Sequence, residues 1–195
     1  MKRLPKLAAL LSAALATTVL VAGVPALAGS GHGARNSVMV GGAAMLPTRN
    51  IVENAANSAD HTTLVAAVKA AGLVETLVGP GPFTVFAPTN AAFAKLSAGT
   101  AETLLMPAQK ATLTKILTYH VVAGNVSAAQ LGRMIRRGGG KAELTTVSGG
   151  KLTARLRYRG IELTDEMGGK AMVTQADVRQ SNGVIHVTDT VSMPR

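Results

Sequence analysis

The sequence predicts an α+β fold, with helices in the first half of the chain and strands in the second. Between residues 50 and 137, apolar side chains recur every three or four residues, which is the period of an amphipathic helix. After the glycines at residues 138–140 they recur every second residue, which is the period of a strand. Because the two patterns occupy separate halves, alternating βαβ units are disfavoured.

The helices are predicted from the residues that begin and end them. Asn50 is followed by Glu53, and Ser127 by Gln130, at the three-residue spacing of a capping box. Gly72 is placed to end a second helix, because glycine readily takes the left-handed conformation found after a helix. Further helical segments are predicted at residues 73–78, 90–96 and 107–120.

The strands are predicted from alternating apolar residues bounded by glycine-rich turns. Five of them lie in the second half, at residues 143–147, 151–159, 161–164, 171–178 and 184–191. One strand, residues 83–86, is predicted among the helices and is closed by Pro88. The pair Asn182-Gly183 predicts a two-residue hairpin turn, since both central residues of such a turn need positive φ.

The first 28 residues have the features of a secretory signal peptide. A basic start is followed by an apolar run over residues 7–24 and by an A-x-A cleavage signal at residues 26–28. A membrane anchor is the alternative, but small and polar residues interrupt the run. Removal of this leader leaves a Gly-rich segment, residues 29–49, interpreted as a flexible arm, and one domain over residues 50–195.

No catalytic or metal-binding motif occurs in the sequence. The chain has no cysteine, which excludes thiol redox chemistry and thiolate metal sites. It also has no G-x-S-x-G, H-E-x-x-H or phosphate-binding loop. The four histidines, His32, His61, His120 and His186, do not fall at ligand spacing. The sequence therefore predicts a protein that is not an enzyme and needs no cofactor or metal.

A run of basic residues is the clearest functional feature that depends on the residues alone. Eight of the 20 basic residues lie between Arg133 and Arg159, where Glu143 is the only acid. In the strand predicted at residues 151–159, alternation places Arg155, Arg157 and Arg159 on one face. The opposite face, predicted to feed the core, carries Leu152, Ala154, Leu156 and Tyr158.

The basic face has two interpretations that the sequence leaves open. It favours an anionic partner, such as an acidic polysaccharide, lipid headgroups or an acidic protein. Alternatively, its charges protect a solvated edge strand from aggregation. Nucleic acid is not predicted as a partner, because the five aromatic residues are assigned to core positions and leave no stacking platform.

Three segments resemble the signature segments of the fasciclin (FAS1) domain family. They are residues 84–93 (TVFAPTNAAF), residues 119–122 (YHVV) and residues 182–191 (NGVIHVTDTV). The resemblance implies a FAS1 fold, a wedge of two β-sheets with helices packed along one side. The first segment departs from the family pattern at Asn90, where many members have Asp, so a role resting on a carboxylate at that position is not expected here.

The resemblance also implies a class of function. Family members are mainly secreted modules for adhesion and interaction, and in animal matrix members the YH segment is linked to cell adhesion, which would carry over to Tyr119 and His120. The chain is therefore predicted to be a bacterial secreted or periplasmic adhesion or matrix-interaction module that is not membrane-spanning after signal cleavage. The alternative is a carrier of an apolar small molecule, a pigment or lipid, in the wedge between the sheets, as in some relatives of this fold.

Overall fold

The computed structural model describes residues 37–97 and 99–195. The predicted signal peptide, residues 1–28, lies outside the described residues. The helices are α1 (Ile51–Asn57), α2 (Thr62–Ala71), α3 (Val74–Val78), α4 (Asn90–Ala94), α5 (Thr100–Leu104), α6 (Lys110–Tyr119) and α7 (Ala128–Arg137). The strands are β1 (Val38–Val40), β2 (Ala43–Met45), β3 (Phe83–Pro88), β4 (Val121–Ala123), β5 (Ala142–Thr145), β6 (Lys151–Arg157), β7 (Gly160–Thr164), β8 (Lys170–Gln180) and β9 (Gly183–Thr188).

The helix boundaries follow the capping residues. Asn50 and Glu53 form a complete capping box at the start of α1, and Ser127 accepts a hydrogen bond from the Gln130 N–H at the start of α7. Gly72 ends α2 in the left-handed conformation, with φ of 73°. These local signals need no tertiary contact to act, which explains why the sequence predicted them.

Seven of the strands form one sheet in the order β4-β3-β9-β8-β7-β6-β5. The β3 and β9 strands pair in parallel and the remaining neighbours are antiparallel. Strand β8 runs through the middle of the sheet, and its pairing with β9 shifts register on either side of Gln175. Such bulges bend a strand, so β8 divides the sheet into two halves.

The two ends of this sheet come together beyond the bend. A bridge joins Val122 of β4 to Thr146, and the N–H of Val147 donates to the carbonyl of Val121 at 2.7 Å. The expected wedge is thus one folded sheet, and the predicted α+β class with helices first and strands second is confirmed.

Buried apolar side chains form two clusters. One lies between helices α1, α2 and α6 and the strands β3 and β9, and includes Ile51, Leu64 and Ile185. The other fills the space between the halves of the sheet, under α7, and includes Leu131, Ile135, Leu152, Leu163, Phe86 and Tyr119. Both helix faces and strand faces contribute to each cluster, which explains how the described part of a chain without cysteine maintains a packed core.

The segment 29–49 was expected to be a flexible arm, but its described part, residues 37–49, contains an ordered hairpin. Strands β1 and β2 form an antiparallel hairpin around Gly41 and Gly42, which both have positive φ. The side chains of Val40 and Met45 are buried in the first core cluster. Burial of these two side chains orders a segment whose glycine content suggested flexibility.

The hairpin expected at Asn182-Gly183 turns one residue earlier. Gln180 pairs with Gly183, so Ser181 and Asn182 form the loop, and neither has positive φ. Gly183 is required for a different reason, since a Cβ there would lie 2.0 Å from the carbonyl oxygen of Phe83. The side chain of Asn182 is buried, accepts from the N–H of Ile51 at 3.1 Å, and donates to the carbonyl of Leu77 at 2.7 Å.

Candidate functional site

Tyr119, the first residue of the YH segment, is completely buried. Its hydroxyl donates to the carbonyl of Lys151 at 2.6 Å and accepts from the N–H of Glu166 at 3.1 Å. Burial raises the pKa of Tyr119 to about 12, so the hydroxyl keeps its proton at neutral pH. The ring joins α6 to the turns at the start of β6 and the end of β7.

His120 is buried beside it and holds the C-terminal segment. Its Nδ1–H donates to the carbonyl of Ile116 at 2.8 Å, and its Nε2 accepts from the N–H of Ser192 at 3.0 Å. A carbonyl can only accept and an N–H can only donate, which fixes the neutral tautomer. Burial lowers the pKa of His120, against smaller raising effects of the Ile116 carbonyl and Asp165.

Two acidic side chains near this histidine also bond to backbone N–H groups. Asp165 accepts from Gly169 at 2.7 Å within its own turn and from Met193 at 2.8 Å in the C-terminal segment. Glu166 accepts from Lys151 at 2.9 Å and from Arg195 at 3.2 Å. The carboxylates next to the YH segment are therefore occupied in fixing turns and the chain terminus.

The three arginines predicted to bind an anionic partner lie at the end of β6, away from Lys151 and Tyr119. We use the name β6–β7 tip for residues 155–160, which comprise the end of β6, a two-residue turn and the first residue of β7. Arg157 pairs with Gly160 across this turn, and the N–H of the Arg157 guanidinium lies 3.0 Å from a carboxylate oxygen of Glu162. Within the described residues, the exposed side chains of Arg155 and Arg159 make no ion pair or hydrogen bond.

Two residues expected to face the core at this strand are exposed instead. Leu152 and Ala154 are buried as predicted, but Leu156 is 43% exposed and Tyr158 is fully exposed. The reason is that β6 ends at Arg157, so Tyr158 belongs to the turn and no longer follows the strand alternation. The assignment of Tyr158 to the core was therefore wrong, although a single exposed ring is no stacking platform for successive bases.

The edge-strand interpretation of the basic face also needs correction. Strand β6 lies between β5 and β7, and β5 is at the edge. The pairing of β5 with β6 begins at Ala142 and Ala154, so the β6–β7 tip extends beyond β5. Only this extension has a free edge, and it carries the arginines.

More basic residues lie at the same end of the sheet as the tip. Helix α7 ends with Arg136 and Arg137, which are exposed, and leads through three glycines to Lys141. Ala142 and Ala154 form the last pair between β5 and β6, so Lys141 and Arg155 both lie just beyond that pair, at the same end of the sheet. Lys141 is 3.8 Å from Glu143, which also pairs with Lys151 at 3.3 Å. Arg136, Arg137 and Lys141 thus lie towards the same end of the domain as the arginines of the tip, whereas Lys151 lies at the opposite end of β6.

The structure does not bring all predicted site residues together. Tyr119 bonds to the carbonyl of Lys151, whereas Tyr158 lies seven residues further along the chain. At about 3.3 Å per residue of strand, the two positions are roughly 20 Å apart. The YH segment and the β6–β7 tip are two separate features.

An apolar cavity of about 60 Å³ lies between the helical layer and the sheet. Its walls come from α1, α2, α3, α6, β3 and β4, with Leu64, Val68, Leu77, Phe83 and Val121 among the lining residues. The polar residues that line it are Lys69, Thr76, Thr118 and His120. The space is therefore under the helices, whereas the wedge between the sheet halves is filled by the second core cluster.

The other two described histidines are also buried. His186 stacks on Phe86 at a centroid distance of 5.5 Å and bonds to the carbonyl of Val126 at 2.9 Å. His61 bonds through Nδ1 to the Ser58 hydroxyl at 2.9 Å, and its Nε2 has no hydrogen-bond partner among the described residues. In the part of the chain that the structure describes, no three His, Asp or Glu side chains are placed to hold a metal ion.

Comparison with known families decides what kind of domain this is. The sequence model of the Fasciclin domain matches residues 59–194. The chain belongs to the fasciclin domain family. A structure from the insect cell adhesion molecule Fasciclin I, containing a pair of FAS1 domains, has the same fold, with a TM-score of 0.67 and 18% sequence identity. The match covers 80% of this chain and 57% of that one.

Relatives of this fasciclin protein include bacterial and animal proteins. Protein sll1483 of Synechocystis sp. is 45% identical over 97% of this chain and 98% of its own length. The cell surface glycolipoprotein MPB83 of Mycobacterium bovis is 33% identical over 84% of this chain and 69% of its own length. Among the described residues, no helix has both the length and the apolar character needed to cross a bilayer.

Asn90, the departure in the first fasciclin segment, has a defined role here. Its side-chain oxygen accepts from the N–H of Thr63 at 3.0 Å. Its amide donates to the carbonyl of Ala59 at 2.8 Å and to the hydroxyl of Thr62 at 3.0 Å. The side chain therefore joins the start of α4 to the start of α2, and it uses both donor and acceptor groups to do so.

Proposed function

We propose that this fasciclin domain is an exported, non-enzymatic adhesion or matrix-interaction module that binds an anionic surface or an acidic protein through the β6–β7 tip. The observation that carries the proposal is the pair of exposed arginines, Arg155 and Arg159, without a partner among the described residues. An exposed cation that forms no internal ion pair keeps its charge available for a partner. Such charges attract anions over about 8 Å at physiological ionic strength.

The basic end of the domain strengthens the attraction beyond two charges. Arg136, Arg137 and Lys141 lie at the same end, and the nearby acids Glu143 and Glu162 are already paired with Lys or Arg. A surface of one charge sign raises the association rate with an oppositely charged partner, and salt weakens the effect. Binding through this end should therefore be strongly salt-dependent.

In this proposal Tyr119 and His120 of the YH segment have a structural role and do not contact the partner. Tyr119 and His120 are buried and bond to Lys151, Glu166 and Ser192. A side chain without surface exposure cannot contact a partner unless the domain opens, and these two have every polar atom paired within the domain. We assign them to fixing α6, β6 and the C-terminal segment.

Export is the part of the proposal that rests on the leader. Residues 1–28 have a basic start, an apolar run and a small-residue cleavage signal. One relative is named as a cell surface glycolipoprotein, and the structural neighbour comes from a cell adhesion molecule. We place this protein outside the cytoplasm, secreted or periplasmic.

The test is retention of the purified exported protein on an acidic polysaccharide across a salt series. A variant with Arg155, Arg157 and Arg159 changed to Ser should elute at much lower salt than the parent. A control with Arg49, Lys110 and Arg179 changed to Ser loses the same charge from exposed positions elsewhere. Equal loss of retention in both variants would indicate binding by net charge only and would contradict a defined site.

A second candidate function is carriage of an apolar small molecule, which the cavity under the helices favours. Its walls are almost entirely apolar, and such a cavity stays dry. At about 60 Å³ it is smaller than the roughly 150 Å³ that admits benzene, so carriage of a pigment or lipid requires the helices to move away from the sheet. Native mass spectrometry and the absorption spectrum of the protein from its own host test this function. A bound, coloured or lipid molecule lost in a Val68→Trp variant, which fills the cavity, would support carriage over adhesion.

A further inference from the structure

We infer that the β6–β7 tip docks end-on on an anionic lipid membrane, with Tyr158 and Leu156 in the interfacial layer and Arg155 and Arg159 at lipid phosphates. The inference deepens the proposed function and rests on it, because the same arginines provide the attraction. It goes further by naming the surface. The features that select lipid are the two apolar side chains, which an acidic polysaccharide would leave in water.

The exposure of Tyr158 is the first observation. The ring is fully exposed in a two-residue turn, and the only other tyrosine is completely buried. Leu156, two residues earlier, is 43% exposed. Tyrosine has an apolar ring with a polar end, and such side chains are enriched where a membrane meets water. The tip therefore presents an amphipathic ring and an aliphatic side chain on the part of β6 that extends beyond its pairing with β5.

The arrangement of charges around these side chains is the second observation. Arg155 and Arg157 lie on the face of β6 opposite Leu156, and Arg159 follows Tyr158 in the turn. An end-on approach brings both faces of the hairpin into the headgroup layer together. Arginine side chains are long enough to keep their guanidinium groups at the phosphates while their stems accompany the apolar side chains.

A second row of cations lies behind the tip. Arg136, Arg137 and Lys141 are at the same end of the domain, set back from the turn because β5 begins opposite Ala154. A basic residue near an anionic membrane strengthens attachment about fivefold, and several are needed for stable attachment when the apolar anchor is small. The tip supplies the apolar anchor, and its arginines together with this second row supply the electrostatic attraction.

The decisive experiment places a reporter at the tip. The chain has no tryptophan, so Tyr158→Trp creates a single fluorophore, and Met167→Trp creates a matched one at the opposite end of β7, where Met167 is 66% exposed. Titration with vesicles of phosphatidylglycerol and phosphatidylcholine should shift the emission of the first variant to shorter wavelength. The second variant, and vesicles of phosphatidylcholine alone, should show no shift.

Substitutions then separate the lipid inference from the proposed function. Tyr158→Ser should lower partitioning onto anionic vesicles about tenfold, since it removes the largest apolar side chain of the tip. Arg155→Ser should lower partitioning about fivefold, which corresponds to the loss of about 1 kcal/mol. Only the arginine substitution should also weaken retention on acidic polysaccharide. Thermal unfolding of each variant at the parent's temperature will show that the domain remains folded.

Each alternative outcome has a definite meaning. If Tyr158→Ser binds vesicles as the parent does, or if the Tyr158→Trp emission does not shift, the lipid inference is overturned. Retention of the parent on acidic polysaccharide would then leave the proposed function in place with a polysaccharide as its partner. If the parent binds neither vesicles nor polysaccharide at low salt, the inference is overturned and the proposed function is wrong for anionic surfaces.

Discussion

The hydroxyl of Tyr119 and the backbone carbonyl of Lys151 are joined by a 2.6 Å hydrogen bond that ties the end of α6 to the start of β6. The ring is packed so closely there that a Cβ at Gly150 would lie 2.6 Å from its Cε2 atom. This contact identifies the first residue of the YH segment as part of the core, although the sequence alone also allowed a role on the surface.

Tyr119→Phe should destabilise the domain without changing its binding. The substitution leaves the Lys151 carbonyl and the Glu166 N–H without a partner, which costs about 1–3 kcal/mol of unfolding free energy. Tyr158→Phe removes the same hydroxyl from an exposed ring and should change stability by less than about 0.5 kcal/mol. Urea unfolding of both variants provides the comparison, and equal stabilities would contradict the core assignment.

Stability should fall as pH decreases from 7.5 to 5.5. Burial lowers the pKa of His61, His120 and His186 in the folded state, so the unfolded chain binds more protons near its histidine pKa of about 6.5. Each such group contributes stability that is present above that pKa and is lost as pH falls towards the folded value. The slope below pH 6 is at most about 1.4 kcal/mol per pH unit for each histidine.

His120→Gln isolates the contribution of one histidine to this slope. Glutamine does not titrate, so the variant should show a shallower dependence of unfolding free energy on pH than the parent. Below about pH 4.5, Glu166 and Asp189 add a loss in the same direction, since backbone N–H donors lower the pKa of both. A parent whose unfolding free energy is constant between pH 7.5 and 5.5 would refute the protonation account.

The effect of Asn90 can be measured with two substitutions. Asn90→Ala removes three hydrogen bonds and should cost about 1–3 kcal/mol of unfolding free energy. Asn90→Asp should stay within about 1 kcal/mol of the parent, because its oxygens still bond to Thr63 and Thr62 and a negative charge is favourable at a helix start. An Asp variant as unstable as the Ala variant would show that the hydrogen bond from the Asn90 amide to the Ala59 carbonyl makes the largest contribution to stability.

Glu162→Gln should strengthen anion binding. The change removes the charge that holds Arg157 at 3.0 Å, so one more arginine of the tip becomes available. Stability should change by about 1 kcal/mol, the upper end of the range for solvent-exposed pairs, because the Glu162 side chain is only 13% exposed. The measurement is the salt concentration that elutes the protein from an acidic polysaccharide, with Glu75→Gln as the control at an exposed acid in α3. Equal increases in both variants would argue against a local role of Arg157.

Local signals explain how much of the fold could be predicted. The capping residues Asn50 and Ser127 act within one helical turn, and each caps a helix in the structure. The parallel pairing of β3 with β9 was not predicted, because the paired residues Phe83 and Gly183 are far apart in the sequence and no local pattern encodes their contact.

The candidate site was only partly predictable for a similar reason. Alternation correctly placed Arg155 and Arg157 on the outer face of β6, but it cannot tell where a strand ends, and the misplacement of Tyr158 followed from this. Gly160, with φ of 123°, was the available signal, since a glycine in that conformation commonly accompanies a tight turn. The hairpin of β1 and β2 was missed because its ordering depends on burial of Val40 and Met45 against distant elements.

The most direct test of the account is an NMR titration of the ¹⁵N-labelled protein with an acidic polysaccharide and with anionic bicelles. Amide signals of residues 155–160, and to a lesser extent those of Arg136, Arg137 and Lys141, should move in a salt-dependent manner, while those of Tyr119 and His120 remain fixed. Movement centred on the YH segment or on the residues around the apolar cavity, with the β6–β7 tip unchanged, would contradict the central claim that this tip is the binding surface.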